Sequence, residues 1–215
     1  QGPTKRALTH NDYDGWRSIQ SQRLSRDGKF LVYALVPQDG DAEVVVRNLS
    51  NGTEWRQGVG KRPPQTNNDD DETGGPVAPA APAVNIAVSS DSRFVIFQIR
   101  PTKADLEKAR KEKKKPEDMP KDAMGIMSLA DGQVTRIERV KSYQVPEDGA
   151  GFVAYLMEAK PGENVSQPPN TAPNSGARQP RKEYGTDLVL RSFGGDGERM
   201  FSEVLDYSIT RDAKT

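Results

Sequence analysis

Residues 24–35, LSRDGKFLVYAL, place a polar turn ahead of a run in which apolar side chains occupy both alternating sets of positions. Phe30, Val32 and Ala34 point one way and Leu31, Tyr33 and Leu35 the other, which predicts a strand covered on both faces. Ser25 and Asp27 can accept hydrogen bonds from nearby backbone N–H groups, and Gly28 tolerates the positive φ of a tight turn. The pattern returns as VSSDSRFVIFQI (88–99), where Phe94, Ile96 and Gln98 alternate with Val95, Phe97 and Ile99. It returns more loosely as VPEDGAGFVAYLM (145–157), where Phe152, Ala154 and Leu156 alternate with Val153, Tyr155 and Met157. A fourth turn, ITRDAKT, begins at Ile209.

Each such strand has companions downstream. VVVRNLSNGTE (44–54), GIMSLADGQV (125–134) and LVLRSFGGDGER (188–199) each read as a strand, a turn placed at Gly52, Gly132 or Gly197, and a polar strand, which is the signature of a β-hairpin. IQSQRLS, VNIAVSS, KSYQVPE and DYSITRD supply an inner strand ahead of each turn, so the unit is a four-stranded antiparallel meander. The turn aspartates Asp27, Asp91, Asp148 and Asp212 recur at spacings of 64, 57 and 64 residues. A propeller blade takes about 40–50 residues, so insertions account for the excess. A sandwich would show one wet face per sheet, and a parallel β-helix would use shorter coils. The expectation is therefore all-β: a partial β-propeller of about three blades and the start of a fourth. Blade 1 falls at about 16–58, a linker at 60–83, blade 2 at 84–139, blade 3 at 140–202, and the fourth starts in 203–215.

The insertions differ in kind. In 101–122 Thr102 can cap a helix with Asp105 three residues on, Glu107 and Lys111 stand at i,i+4, and Pro116 stops it, so a short charged helix is expected over Lys103 to Lys115. The eight basic residues of the 101–122 insertion are interleaved with six acidic ones, which favours a solvated face over nucleic-acid binding. Residues 160–183 are rich in Pro, Asn and Ser without periodicity and are expected to be flexible. Because successive strands are antiparallel, the second-to-third-strand loops and the blade-to-blade links emerge on one side of the disc. All three long insertions should therefore crowd the face opposite the turn aspartates.

Composition narrows the function classes. The 215 residues carry 31 basic and 31 acidic groups, a balance that gives no general affinity for nucleic acid or an anionic membrane surface. Hydrophobic content of 33% and a mean hydropathy of −0.80 mean either a loop-rich chain or a core shared with something else. Without cysteine there is no disulfide, thiolate metal site or cysteine nucleophile. No apolar run approaches the roughly 18–20 residues of a membrane span. The polar start QGPTKR is what an exported protein shows once its signal peptide is removed, so a periplasmic or secreted location is expected.

Candidate chemistry is sparse. The single histidine, His10, has no Gly-x-Ser-x-Gly nucleophile motif to serve, and it reads as a surface or packing residue. Tyr13 and Trp16 read as anchors of the N-terminal segment to the first blade. Asp69, Asp70, Asp71 and Glu72 lack the alternating spacing and closing glutamate of a calcium loop, so a solvated loop is the better reading. No catalytic residue, metal ligand or cofactor site is expected in this chain.

Four stretches carry a family resemblance: KRALTHNDYDGWRSI (5–19), LSRDGKFLVYALVPQDGDAEVVVRNLSNGTE (24–54), RPTKADLEKARKEKKKPEDMPKDAMGIMSLADG (100–132) and KEYGTDLVLR (182–191). Together they resemble the N-terminal part of secreted bacterial serine peptidases of the prolyl oligopeptidase family. The resemblance implies a propeller of seven or eight blades, followed by an α/β-hydrolase domain bearing Ser, Asp and His that this sequence lacks. None of the family's catalytic residues maps onto a position here, so the chain is expected to be the non-catalytic propeller region of a longer hydrolase. Its partners would be that C-terminal domain and peptide substrates, whose access the propeller limits and guides. The alternative is a stand-alone β-propeller module that binds protein or glycan partners in the periplasm.

Overall fold

The computed structural model describes residues 9, 15–61, 84–149, 151–159, 185–193 and 197–212. His10, Tyr13, Asp69 to Glu72, most of the 60–83 linker and the 160–183 insertion lie outside the described residues. The described chain forms three four-stranded antiparallel meanders in sequence order. Sheet 1 comprises β1 (Arg17–Leu24), β2 (Phe30–Pro37), β3 (Asp41–Asn48) and β4 (Glu54–Lys61). Sheet 2 comprises β5 (Ile86–Val88), β6 (Phe94–Ile99), β7 (Ala123–Ser128) and β8 (Val134–Glu138). Sheet 3 comprises β9 (Val140–Gln144), β10 (Phe152–Met157), β11 (Thr186–Ser192) and β12 (Glu198–Val204). β4 runs to Lys61 and β12 to Val204, past the ends at 58 and 202 that the repeat pattern suggests.

The turn before each second strand explains why the repeats fold alike. Ser25 Oγ donates to Asp27 Oδ1 at 2.6 Å and accepts from the Phe30 N–H at 2.9 Å, while Asp27 Oδ1 accepts from the Lys29 N–H at 3.2 Å. In the second repeat Ser89 donates to Asp91 at 2.6 Å and accepts from the Phe94 N–H at 2.9 Å, and Asp91 accepts from the Arg93 N–H at 3.1 Å. The left-handed position is filled by Gly28 (φ 71°) and by Ser92 (φ 57°). In the third repeat Pro146 stands where these serines do, and with no hydroxyl to hold it Asp148 is engaged across repeats instead. Its N–H donates to the Arg211 carbonyl at 2.8 Å, and its carboxylate accepts from Arg26 at 2.7 Å.

The second hairpin turn repeats as closely. The Leu49, Leu129 and Phe193 N–H groups donate to the carbonyls of Lys29, Arg93 and Gly151, and the Asn48, Ser128 and Ser192 N–H groups to those of Thr53, Gln133 and Gly197. Gly197 is thus the counterpart of Thr53 and Gln133, one position beyond the turn glycines Gly52 and Gly132, which corrects its assignment as the turn residue. The DYSITRD segment also departs from expectation. Residues 206–210 have no ladder partner among the described residues and are not a strand, but they are pinned to sheet 3: the Ile209 N–H donates to Gln144 Oε1 at 3.0 Å, and Gln144 Nε2 to the Tyr207 carbonyl at 3.2 Å.

Between the sheets the alternation of side chains becomes packing. Phe30, Val32, Ala34 and Val36 define the back face of sheet 1, and the repeat-equivalent set offset by one, Val95, Phe97 and Ile99, defines the front face of sheet 2. These two faces join in one buried cluster with Val44, Val46, Ala123 and Met127. Ile96, Met124 and Ile126, on the back of sheet 2, meet Val153, Tyr155 and Val189, on the front of sheet 3, in a second cluster. Each fully buried aliphatic or aromatic side chain contributes about 1.5–3 kcal/mol relative to exposure, so these two interfaces hold the stack together. Gly125 makes the first interface possible, because a Cβ there would lie 2.5 Å from the Phe97 ring. Among the described residues, sheet 2 alone is packed against a sheet on both faces. On the front of sheet 1, Leu31, Tyr33 and Leu35 are half-buried, and the neighbouring Ile19 and Leu24 are 56% and 59% exposed.

The insertion between β6 and β7 forms α1 (Lys103–Lys111). Thr102 caps it as expected, accepting from the Asp105 N–H at 3.1 Å and donating to Asp105 Oδ2 at 2.7 Å. The helix ends at Lys111 rather than Lys115. Lys113 turns left-handed (φ 50°), its N–H donates to the Arg110 carbonyl and that of Lys114 to the Ala109 carbonyl, a Schellman closure made without glycine. Pro116 then opens a short 3-10 turn, Pro116–Asp118, and Lys115 ahead of it is extended.

Candidate functional site

Two places concentrate polar chemistry, and both follow from strand direction. The first is the face opposite the Ser-Asp turns. Here the start of the α1 insertion is bolted to sheet 1. The Arg100 N–H donates to the Val59 carbonyl at 2.9 Å, the Lys61 N–H to the Pro101 carbonyl at 3.0 Å, and the Lys103 N–H to Asp39's neighbour Asp41, at Oδ1, at 2.8 Å. Gly60, at φ 74°, permits the approach, since a Cβ would sit 2.0 Å from the Arg100 carbonyl oxygen. The Lys103 ammonium lies 2.5 Å from Asp39 Oδ2 and that of Lys61 3.8 Å from Oδ1. The hydrogen bond from Lys103 foremost, helped by the charge of Lys61, holds the Asp39 carboxyl below its ordinary range. On the same side Gln98 Nε2 donates to the half-buried Asp122 Oδ2 at 2.6 Å, and Arg100 donates to Gln98 Oε1 at 3.2 Å. Burial raises the Asp122 carboxyl above the usual carboxylate value, against the pull of Arg100 and Gln98.

The second place is a cleft of about 1230 Å³ between the outer edge of sheet 2 and the outer strands of sheet 3. Its floor is Tyr155, whose hydroxyl donates to Glu198 Oε1 at 2.8 Å. Burial first, and then this carboxylate, push the Tyr155 hydroxyl up to about 12, with Arg191 acting in the opposite sense. Arg136 pairs with Glu138 at 2.6 Å, and Arg139 donates to the Glu158 and Ala159 carbonyls. Thr186 Oγ1 is buried there and has no hydrogen-bond partner among the described residues. With guanidinium and carboxylate groups mixed along its walls, the cleft suits a polar ligand of mixed charge. Among the described residues that line it there is no histidine and no cysteine, and its one hydroxyl–carboxylate pair is Tyr155 with Glu198.

Of His10, Tyr13, Trp16 and Asp69 to Glu72, the residues weighed as candidate chemistry, Trp16 is the one that lies among the described residues. Its carbonyl accepts from the Gln38 N–H at 3.2 Å, which ties the N-terminal side of β1 to the β2–β3 turn, and its side chain is half exposed. Among the described residues no group of three His, Cys, Asp or Glu side chains could hold a metal ion, and no helix is long and apolar enough to cross a membrane. Sequence reasoning missed the cleft and Tyr155, because β8 and the outer strands β11 and β12 that line it belong to two different meanders whose outer edges must first be brought face to face.

No family model matches the sequence, and no curated protein matches it. Among solved structures, the chain is similar to the β-propeller domain of the Trilobed protease from Pyrococcus furiosus, at 9% identity and a TM-score of 0.46, covering 88% of this chain and 44% of that one. It is also similar to acylaminoacyl peptidase from Pyrococcus horikoshii, at 9% identity and a TM-score of 0.43, with 88% and 25% covered. An acylaminoacyl peptidase in complex with Z-Gly-Gly-Phe-chloromethyl ketone matches at 10% identity and a TM-score of 0.44, with 88% and 26% covered. The chain thus spans less than half the length of each of these structures.

Proposed function

We propose that this chain is the non-catalytic propeller region of an exported serine peptidase of the prolyl oligopeptidase type, limiting and guiding peptide access to an α/β-hydrolase domain outside this sequence. The sequence support is the set of four stretches quoted above. The structural observation that carries the reading is the division of labour between the two faces. One face is trimmed to the tight turns at Asp27, Gly52, Asp91 and Gly132, while α1 is rooted on the other by the Lys103 contacts to Asp39 and Asp41. A disc that is short-looped on one side and carries a rigidly rooted charged helix on the other can dock a second domain without disturbing its blades. Kinetics of the parent protein on a series of peptides of increasing length, and on a folded protein, test this. The reading requires kcat/KM to fall off sharply beyond short peptides and the folded protein to be spared. Equal turnover of the folded protein would overturn it.

One observation favours the stand-alone binding module: the mixed-charge cleft with its unpartnered Thr186 hydroxyl. A parent protein without a serine nucleophile, together with saturable binding of a peptide or glycan that Arg191→Ala abolishes, would establish that reading instead.

A further inference from the structure

We propose that the cleft between the outer edges of sheets 2 and 3 binds an extended peptide that carries a basic side chain. This rests on the cleft being a binding site, as in the second reading above, and needs nothing from the peptidase reading. The cleft lies inside the stack, between two sheets that already pack on each other. Repeat symmetry says why it is open. The Asn48 N–H bonds to the Thr53 carbonyl as the Ser128 N–H does to that of Gln133, so Thr135 of β8 is the counterpart of Trp55 of β4. In the first interface Trp55 stacks on Phe30 at 6.3 Å and lies against Gly132, where a Cβ would come 2.5 Å from the indole, so it seals the outer gap between sheets 1 and 2. Thr135 is exposed and too small to do the same between sheets 2 and 3.

The charge left unspent in the cleft is negative. Arg136 pairs with Glu138 at 2.6 Å, the Arg139 guanidinium donates to the Glu158 and Ala159 carbonyls, and Arg191 stands opposite Glu198 in register. Glu158 and Asp187, both half-buried, and the exposed Glu203 line the same cleft, and no cation pairs with their carboxylates among the described residues. A partly desolvated carboxylate without a partner is unfavourable, and a lysine or arginine side chain brought in by a ligand makes a charge-assisted bond to it. The apolar lining supplies the rest. Val189 belongs to the second buried cluster with Ile137 packed against it, and Met200 and Leu205 stand 61% and 56% exposed, so aliphatic side chains can be seated beside the basic one. β8 and β12 are the outermost strands of their sheets, which lets a peptide lie along a strand edge and take main-chain hydrogen bonds.

The test is fluorescence anisotropy with the full-length parent protein, pretreated with a fluorophosphonate so that any activated serine is blocked. The probes are a labelled hexapeptide alternating lysine and valine and its glutamate and glutamine counterparts. The lysine peptide is expected to bind saturably and about tenfold more tightly than the glutamate peptide, and a variant carrying Asp187→Asn and Glu158→Gln is expected to lose about tenfold of that affinity. Glu147→Gln, whose carboxylate pairs with Arg211 on the turn side, should leave it unchanged. Thr135→Trp, which restores the plug of the first interface, should weaken all three peptides, and far-ultraviolet circular dichroism verifies that each variant is folded. A lysine peptide that binds the Asp187→Asn, Glu158→Gln variant as tightly as wild type overturns the inference; if Thr135→Trp still weakens it, the cleft takes peptides without selecting charge. Binding of none of the three peptides removes the cleft as a peptide site altogether.

Discussion

Arg26 and Asp148, 122 positions apart in the first and third repeats, form an ion pair of 2.7 Å at the tips of their turns. The Asp27 N–H donates to Ser92 Oγ at 3.2 Å and Ser90 Oγ to the Gly149 carbonyl at 2.7 Å, so three turns gather on one side of the disc. Both charged groups are largely exposed, and pairs of that kind contribute about 0–1 kcal/mol. Arg26→Met should therefore lower the urea midpoint slightly, and the difference from wild type should shrink further as salt is raised. A loss of several kcal/mol would mean that the turns carry the fold, against the interfaces assigned that role here.

Ser89, in the turn of the second repeat, is the stronger point. It is buried, accepts from the Phe94 N–H and donates to Asp91, so Ser89→Ala leaves the partly buried Phe94 N–H without this partner at a cost of about 1 kcal/mol. Equilibrium denaturation measures it. Ser50→Ala, whose hydroxyl is exposed, provides the comparison and should change stability by less than about 0.5 kcal/mol.

Gly125 tests the first interface directly. A methyl group there would lie 2.5 Å from the Phe97 ring, and overpacking of a well-filled core costs about 1–3 kcal/mol. Gly125→Ala should be destabilising by that amount, and Phe97→Leu in the same chain should recover part of it. Additive losses in the double variant would show that the two residues do not share a space.

Alkaline pH probes the cleft floor. Tyr155 has its hydroxyl raised to about 12, and the unfolded value is about 10, so the folded chain binds more protons than the unfolded one between these values. The contribution is complete below about pH 10 and is lost as pH rises toward 12. Burial raises Tyr143 and Tyr207 in the same direction. Stability should thus fall with rising pH in this window, and Tyr155→Phe should reduce the slope. An unchanged slope in that variant would remove Tyr155 from the account.

The repeats were legible because their signals are local. Ser25 to Phe30 and Ser89 to Phe94 close their own turns, and Thr102 with Asp105 caps its own helix, so the neighbouring letters suffice to read them. The end of the helix was not, since Lys113 adopts the left-handed turn that glycine usually announces. Asp148 looked like a third turn aspartate, yet Pro146 supplies no hydroxyl and its bonds run to other repeats. The two-faced β2 pattern correctly marked a face that needs a cover, but no sequence pattern says that sheet 2 is covered on both sides and sheet 1 on one. The cleft around Tyr155 depends on how far two outer edges splay, a property of sheet packing rather than of any one segment.

Active-site labelling of the parent protein tests whether this propeller serves a serine peptidase, as proposed above. An antibody raised against residues 1–215 is used to capture that protein from its native source after treatment with a fluorescent fluorophosphonate, which reacts with activated serine nucleophiles. The expected result is a captured species substantially larger than this chain that carries the label, with the label outside residues 1–215 after limited proteolysis. A captured protein that is unlabelled while known serine hydrolases in the same extract are labelled, or a label within residues 1–215, would contradict it.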